Sequence, residues 1–162
     1  VFPEGTHGVA LDSITRSGLW NAGLDYGHGT GHGVGAFLNV HEGPQRISPV
    51  SHDVALKPGM IISNEPGYYE SGWGGIRLEN LCRVKSMESG LHQHPGGKAW
   101  LGFETLMFVP FDQNLIDRDL LASDELQWLD QYHEKTFGKL EKMLENKQHR
   151  DWLKKACHPA HP

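Results

Sequence analysis

The feature that most constrains this chain is the ten-residue stretch Tyr26–Gly35, in which a glycine follows every side-chain-bearing residue. Each interior glycine destabilises a helix by about 1 kcal/mol relative to alanine, and glycine also weakens a regular strand. The glycines therefore predict unusual dihedral angles or a close approach of two backbones. His28 and His32 are four residues apart in this stretch, a spacing that places both on one side of a helix or a strand.

A third histidine, His41, follows the glycine-rich stretch at a short distance in the sequence. Two interpretations of the three histidines stay open on their pattern alone. They are either the solvent-exposed side chains of a glycine-rich turn or the imidazoles of a functional site.

The composition describes a globular chain of 162 residues, long enough for a hydrophobic core, with 38% hydrophobic residues. A net charge of −5 without a basic stripe argues against nucleic-acid binding, and no apolar run approaches the roughly 20 residues of a membrane span. Two distant cysteines, Cys82 and Cys157, predict reduced thiols in a cytoplasmic protein. No signal-peptide pattern is visible at the N-terminus. Because the chain starts with Val1 and not with methionine, we expect it to be processed or excised from something longer.

The order of apolar and polar residues predicts an α+β fold with a curved, mostly antiparallel sheet over about 60–110 and the two longer helices on its outer face. A long helix is expected to start with Ser123 as its N-cap and to carry its apolar face on to Leu144. The other expected segments are a helix over 7–22 capped by Thr6, strands over 60–65, 76–87 and 101–109, a polar loop over about 88–99, and a frayed tail after about 147.

Two glutamates occupy positions in the predicted strands that suit metal ligands. Glu65 ends an apolar strand immediately before Pro66, and Glu79 lies within the alternating strand 76–87. A charged side chain in an apolar strand raises the free energy of the fold unless it is paired or bound to a metal. Glu79 is therefore a candidate ligand, a partner of Arg77 two residues away, or an outward-facing residue of a half-solvated sheet.

Taken together, His32, Asn64–Tyr69 and Gly75–Asn80 resemble the Xaa-Pro aminopeptidases (aminopeptidase P). These enzymes belong to the pita-bread metallopeptidases, with methionine aminopeptidase, prolidase and creatinase as relatives. Asp25–Gly35, continued by Asn39–Pro44, is similar to the eukaryotic cytosolic type. The resemblance implies that residues 1–162 are the C-terminal portion of a pita-bread catalytic domain, with the N-terminal domain and the first half of the catalytic domain absent.

The resemblance also implies a role for each matching side chain. His32, Glu65 and Glu79 would bind metal, with Glu79 bridging two ions and Glu65 also accepting a proton from the attacking water. The substrate would be a peptide with proline in second position. The residues that would hold this substrate are His28, His41 and Arg77, of which His28 and His41 would also stabilise the tetrahedral intermediate.

The implied cofactor is a pair of divalent metal ions in the complete domain. A mixed set of carboxylates and one imidazole suits manganese first, with zinc or cobalt as alternatives. The family's two aspartate ligands are not found, because Asp12 and Asp25 lie outside any matching motif. For residues 1–162 alone, we therefore expect one weakly bound ion or none and no peptidase activity. The missing half of the domain should leave edge strands and apolar faces open, so we also expect self-association into a homo-oligomer. A prolidase and a non-catalytic peptidase-like module that binds a protein partner are the alternative functions.

Overall fold

The computed structural model describes residues 1–37, 39–50, 53–87 and 96–158, which fall into two compact units, Val1–Met107 and Phe108–Pro162. Residues 88–95 of the loop predicted over 88–99 lie outside the described part of the chain. Within the described residues, every helix is too short or too polar to cross a membrane.

The first unit consists of one helix and short antiparallel strands. The elements are β1 (Phe2–Pro3), α1 (Gly8–Asn21), β2 (Gly31–His32), β3 (Arg46–Ile47), β4 (Ile61–Asn64), β5 (Gly67–Glu70), β6 (Gly74–Arg77), β7 (Asn80–Met87) and β8 (Trp100–Thr105). A four-stranded sheet has the order β1-β8-β7-β4, and two-stranded sheets are formed by β2 with β3 and by β5 with β6. All described pairings are antiparallel, which confirms the predicted α+β class and sheet type.

The core of the first unit lies on one face of the four-stranded sheet. In β7 the predicted alternation is confirmed, because Cys82 and Val84 are buried whereas Arg83 and Lys85 are exposed. Each fully buried large aliphatic side chain contributes about 1.5–3 kcal/mol. The buried side chains that form this core are Phe2, Ile47, Leu56, Ile62, Cys82, Val84 and Leu101.

The prediction of a single strand over 76–87 is wrong, because the chain forms no strand between Arg77 and Asn80. Strand β6 pairs with β5, whereas β7 pairs with β4 and β8, so the chain changes partners at this break. Leu78 is consequently 56% exposed instead of facing the core. Glu79 lies in this break, whereas the prediction placed it in the middle of a strand.

Helix α1 confirms the helix predicted over 7–22, although its first turn differs from the prediction. His7 and not Thr6 occupies the N-cap position, because the Thr6 hydroxyl donates to the Pro3 carbonyl 2.6 Å away. After the helix, Gly23 adopts a φ of +72°, a conformation that glycine tolerates and that ends the helix as predicted.

A close backbone approach, predicted for the glycine-rich stretch, occurs at Gly31. A Cβ atom on Gly31 would lie 2.0 Å from the Ser63 carbonyl oxygen of β4. We expect Gly31→Ala to lower the free energy of unfolding by about 1–3 kcal/mol, because the backbone of one strand must move. Chemical denaturation measures this difference.

Gly18 provides the matched control for this substitution. It lies within α1, and a Cβ there would meet no atom within 4 Å. Gly18→Ala is therefore expected to raise the free energy of unfolding by about 0.5–1 kcal/mol. Equal denaturation midpoints for the two variants would contradict the close-approach interpretation of Gly31.

The second unit is helical and differs from the prediction at three points. Helix α2 (Ser123–Leu140) starts at Ser123, but Ala122 occupies the N-cap position and its amide donates to Glu125, 2.8 Å away. The helix ends at Leu140 instead of continuing to Leu144. A further helix, α3 (Lys147–Ala156), replaces the expected frayed tail. The Asn146 side chain caps α3, because it accepts a hydrogen bond from the Gln148 amide at 2.7 Å.

His133 of α2 is fully buried and electrically neutral. The Phe111 amide donates to its Nε2 at 3.1 Å, which requires this nitrogen to carry no proton. Burial lowers the pKa of His133, although the Asp130 charge partly opposes this effect. Protonation therefore favours the unfolded chain, in which a histidine has a pKa of about 6.5.

We expect the second unit to lose stability as the pH falls below about 6.5, by up to about 1.4 kcal/mol per pH unit. Above this pH the loss should be absent, because His133 is then neutral in both the folded and the unfolded state. Thermal unfolding between pH 5 and 7.5 measures the effect. His133→Leu is expected to flatten this dependence, whereas His149→Gln, on the exposed surface of α3, is expected to preserve it.

Candidate active site

His32 and Glu65 lie side by side in the first unit. The His32 Nε2 and Glu65 Oε1 atoms are 3.1 Å apart, and Glu65 is only 9% exposed. Glu65 follows β4 directly, and its amide donates to the Thr30 carbonyl at 2.7 Å. The Ser63 hydroxyl donates to Glu65 Oε1 at 3.0 Å and accepts from the His32 amide at 2.9 Å. Ser63 therefore fixes both side chains relative to β2 and β4.

The hydrogen bonds of His32 leave its Nε2 directed at Glu65. Its Nδ1 lies 2.9 Å from the Gly33 carbonyl, and because a carbonyl oxygen only accepts, Nδ1 carries the proton. A ring nitrogen and a carboxylate oxygen 3.1 Å apart need a proton or a cation between them. Two ligands bound at about 2.1 Å to one tetrahedral or octahedral ion lie about 3.0–3.4 Å apart. The pair therefore fits two neighbouring ligands of one metal ion.

Glu79 is exposed and does not complete this pair. Within residues 1–37, 39–50, 53–87 and 96–158, no three histidine, cysteine, aspartate or glutamate side chains are close enough to hold one ion. Arg77 lies next to Glu65, with its Nη1 3.7 Å from Glu65 Oε2. The structure thus brings together two of the three predicted ligands, His32 and Glu65, and places Arg77 next to them.

Tyr69 connects His28 to Arg77, a role that the sequence did not predict. His28 donates from Nδ1 to the Gly29 carbonyl at 2.8 Å, so its Nε2 accepts from the Tyr69 hydroxyl at 2.8 Å. Arg77 in turn donates from Nε to the Tyr69 oxygen at 2.8 Å. This hydrogen bond is the largest cause of the raised pKa of Arg77, and the charges of the nearby glutamates add to it. Side chains from two separate segments are therefore held in one orientation.

The glycine that pairs with Tyr69 is a sequence feature from which the position of this tyrosine could have been predicted. Tyr69 pairs with Gly75 across β5 and β6, and a Cβ on Gly75 would lie 2.4 Å from the tyrosine ring. The glycine leaves space for the ring, as expected where a large side chain crosses a neighbouring strand.

His41 lies against His32, although it is exposed. The centroids of the two rings are 4.2 Å apart. The Glu42 amide donates to the Gly33 carbonyl at 2.9 Å, which folds the chain back after the glycine-rich stretch. The three predicted histidines therefore occupy different surroundings: His28 contacts Tyr69, His32 contacts Glu65, and His41 contacts His32.

Comparison with known protein families gives two matches that cover most of the chain. The metallopeptidase family M24 matches residues 1–86, and the C-terminal region of peptidase_M24 matches residues 99–160.

Full-length relatives agree with these matches. The chain is 51% identical over 154 residues to Aminopeptidase P2 of Arabidopsis thaliana, covering 94% of this chain and 21% of that protein. It is 52% identical over 161 residues to a probable Xaa-Pro aminopeptidase P of Phaeosphaeria nodorum, covering 98% of this chain and 24% of that protein. The chain thus spans about a quarter of the length of the curated relatives that it matches.

Solved structures give the same result for the fold. The X-prolyl aminopeptidase from Caenorhabditis elegans, a cytosolic enzyme with a di-nuclear active site, matches with a TM-score of 0.86 and 36% identity over 98% of this chain and 26% of that one. The X-Pro aminopeptidase from Thermotoga maritima matches with a TM-score of 0.52 and 33% identity over 68% of this chain and 27% of that one.

These similarities confirm the predicted resemblance and the predicted fold. The curled antiparallel sheet is part of the pita-bread fold of these peptidases. The chain belongs to the metallopeptidase family M24, and over nearly its whole length it is a homologue of the Xaa-Pro aminopeptidases P.

Proposed function

We propose that residues 1–162 form the C-terminal portion of the catalytic domain of a metal-dependent aminopeptidase. The complete protein releases the N-terminal residue from peptides with proline in second position. The observation that carries this proposal is the His32–Glu65 pair, in which Nε2 lies 3.1 Å from Oε1 of a buried carboxylate. The relatives, named as aminopeptidases P, support the substrate class.

His32, Glu65 and Glu79 are proposed to hold the metal site. A pair of divalent ions, when bound, lowers the pKa of a bound water and stabilises the charge that develops on the substrate carbonyl oxygen. Glu65 accepts the proton of the attacking water, and the Ser63 hydroxyl at 3.0 Å keeps its carboxylate in place. Glu79 joins from the break between β6 and β7, where its backbone lies outside both ladders.

His28, His41 and Arg77 are proposed to bind the substrate. The Tyr69 hydroxyl orients both His28 and Arg77 through hydrogen bonds of 2.8 Å. The exposed ring of His41, next to His32, is available to a substrate that approaches the metal ligands. His28 and His41 are also proposed to stabilise the tetrahedral intermediate.

We propose manganese as the metal and the cytoplasm as the location of the protein. A site of one imidazole and carboxylates suits manganese, with zinc or cobalt as alternatives. Both cysteines, Cys82 and Cys157, are free and buried, as in proteins of reducing compartments. The similar C. elegans enzyme is cytosolic.

Exposed apolar side chains support self-association of the chain into a homo-oligomer. Phe37 in the first unit is 87% exposed and Leu120 in the second is 81% exposed. Exposed apolar surface of this kind promotes association. Light scattering at increasing protein concentration tests this proposal, and a monodisperse monomer throughout would contradict it.

A chimera tests the proposed reaction. In this chimera the chain replaces the matching region of Arabidopsis Aminopeptidase P2, to which it is 51% identical. We expect the chimera to cleave Xaa-Pro peptides in the presence of Mn²⁺. Cleavage of dipeptides alone would indicate a prolidase. No turnover by a folded, metal-loaded chimera would favour the non-catalytic protein-binding alternative.

A further inference from the structure

Helix α1 contains a buried ion pair that the proposed reaction does not use. Asp12 is 1% exposed and Arg16 is 2% exposed, and Arg16 Nε donates to Asp12 Oδ2 at 2.7 Å. A buried ion pair is weak evidence for a stabilising role, because well-packed apolar residues of similar volume are often equally stable. The remaining contacts of the two side chains point to a different role.

Arg16 binds the backbone on both sides of Gly27. Its Nη1 donates to the Tyr26 carbonyl at 2.7 Å, and its Nη2 donates to the His28 carbonyl. Nη1 also lies 2.6 Å from Asp25 Oδ1, and the guanidinium group stacks 3.9 Å from the centroid of the Tyr26 ring. One rigid side chain therefore fixes the backbone of the turn that presents His28.

Asp12 fixes the next part of the same stretch. Its Oδ1 accepts hydrogen bonds from the Thr30 hydroxyl at 2.7 Å and from the Thr30 amide at 3.3 Å. Thr30 is fully buried, and its carbonyl accepts the hydrogen bond of the Glu65 amide at 2.7 Å. Asp12 is thus two hydrogen bonds away from the backbone of Glu65.

We propose that Asp12 and Arg16 are positioning residues that set His28 and Glu65 in the geometry needed for hydrolysis. Arg16 acts on His28 through the carbonyls of Tyr26 and His28, and Asp12 acts on Glu65 through Thr30. This inference rests on the proposed function, because it assigns both residues to the same site. Displacing a reacting group by about 1 Å can reduce turnover by about a hundredfold.

Arg16→Lys tests the proposal because it keeps the positive charge next to Asp12 but removes the planar set of donors. Arg83→Lys is the matched control, since Arg83 forms an ion pair with Glu104 on the exposed surface of β7 and β8. In the chimera, we expect Arg16→Lys to lower kcat by about ten- to a hundredfold at temperatures where it remains folded. Arg83→Lys is expected to leave kcat unchanged.

A second measurement does not depend on turnover. In the 162-residue chain labelled with ¹⁵N and ¹³C, Arg16→Lys is expected to shift the resonances of the His28 ring and the Glu65 amide. Arg83→Lys is expected to leave both in place. Unchanged His28 and Glu65 resonances in Arg16→Lys, or a kcat that falls only in proportion to the unfolded fraction, would overturn the positioning role.

The two measurements separate this inference from the proposed function. An unsubstituted chimera without Xaa-Pro turnover would refute the proposed function and with it any catalytic consequence of the positioning. The resonance shifts would then still decide whether the two residues fix His28 and Glu65.

Discussion

Substituting Glu65 by glutamine in the chimera is expected to lower kcat for an Xaa-Pro peptide by about a hundredfold to ten-thousandfold. Glutamine has nearly the same shape, and its carbonyl oxygen still accepts the hydrogen bond that Ser63 donates at 3.0 Å. The substitution removes the negative charge next to His32 Nε2 and the oxygen that accepts the proton of water. Steady-state kinetics at saturating Mn²⁺ measure the loss.

Glu104→Gln is the control for the loss of one carboxylate. Glu104 pairs with Arg83 on the surface of the sheet, within the same unit as Glu65. An exposed ion pair contributes about 0–1 kcal/mol, so this variant is expected to keep its kcat. Equal kcat values for Glu65→Gln and the unsubstituted chimera would refute the proposed role of Glu65.

Short-range patterns in the sequence predicted the main elements because the physical cause of each pattern is local. The alternation of Cys82 and Val84 with Arg83 and Lys85 follows from the two-residue period of a strand, and the structure confirms it. The glycine-rich stretch predicted a close approach, which the structure places at Gly31. These parts of the fold needed no knowledge of distant residues.

The break between β6 and β7 could not be predicted from the same patterns. The apolar alternation continues through Leu78 and Glu79 even though the chain changes partner strands there. Which strand pairs with β6 or with β7 depends on β5 and β4, and the local period of the sequence contains no information about them. For the same reason Glu79 was expected on the face of a continuous strand and is found outside the ladders.

The contacts of the candidate site join residues that are far apart in the sequence, so local patterns could not predict them. Tyr69 reaches His28 across 41 positions, and Thr30 accepts the hydrogen bond of the Glu65 amide across two separate segments. In the sequence, Asp12 is only an aspartate that does not match the aspartate ligands of the family. The structure instead gives it two hydrogen bonds from Thr30 and an ion pair with Arg16.

Helix α3 was not predicted for a different reason, which lies in the composition of the tail. The segment Lys147–Ala156 is mostly polar, with Leu153 as its one buried residue. The Asn146 side chain caps this helix, and an exposed ion pair joins Lys147 and Asp151, one helical turn apart. Weak local signals of this kind do not distinguish a surface helix from a frayed end.

The 162-residue chain by itself is expected to bind at most one divalent ion, weakly, and to lack peptidase activity. His32 and Glu65 are the two candidate ligands that lie together, and within the described residues no third histidine, cysteine, aspartate or glutamate completes the group. Even with Glu79, the three side chains supply two negative charges against the four positive charges of two ions. The repulsion between two ions would therefore remain largely uncompensated.

Elemental analysis after dialysis against Mn²⁺ measures the number of retained ions, and an Xaa-Pro peptide assay on the same sample measures turnover. His32→Ala is expected to remove the weak binding, because it deletes the single imidazole ligand. His149→Gln, an exposed histidine in α3, is expected to preserve it. Two tightly retained ions per chain, or turnover that Glu65→Ala abolishes, would mean that other side chains of this chain complete the ligand set.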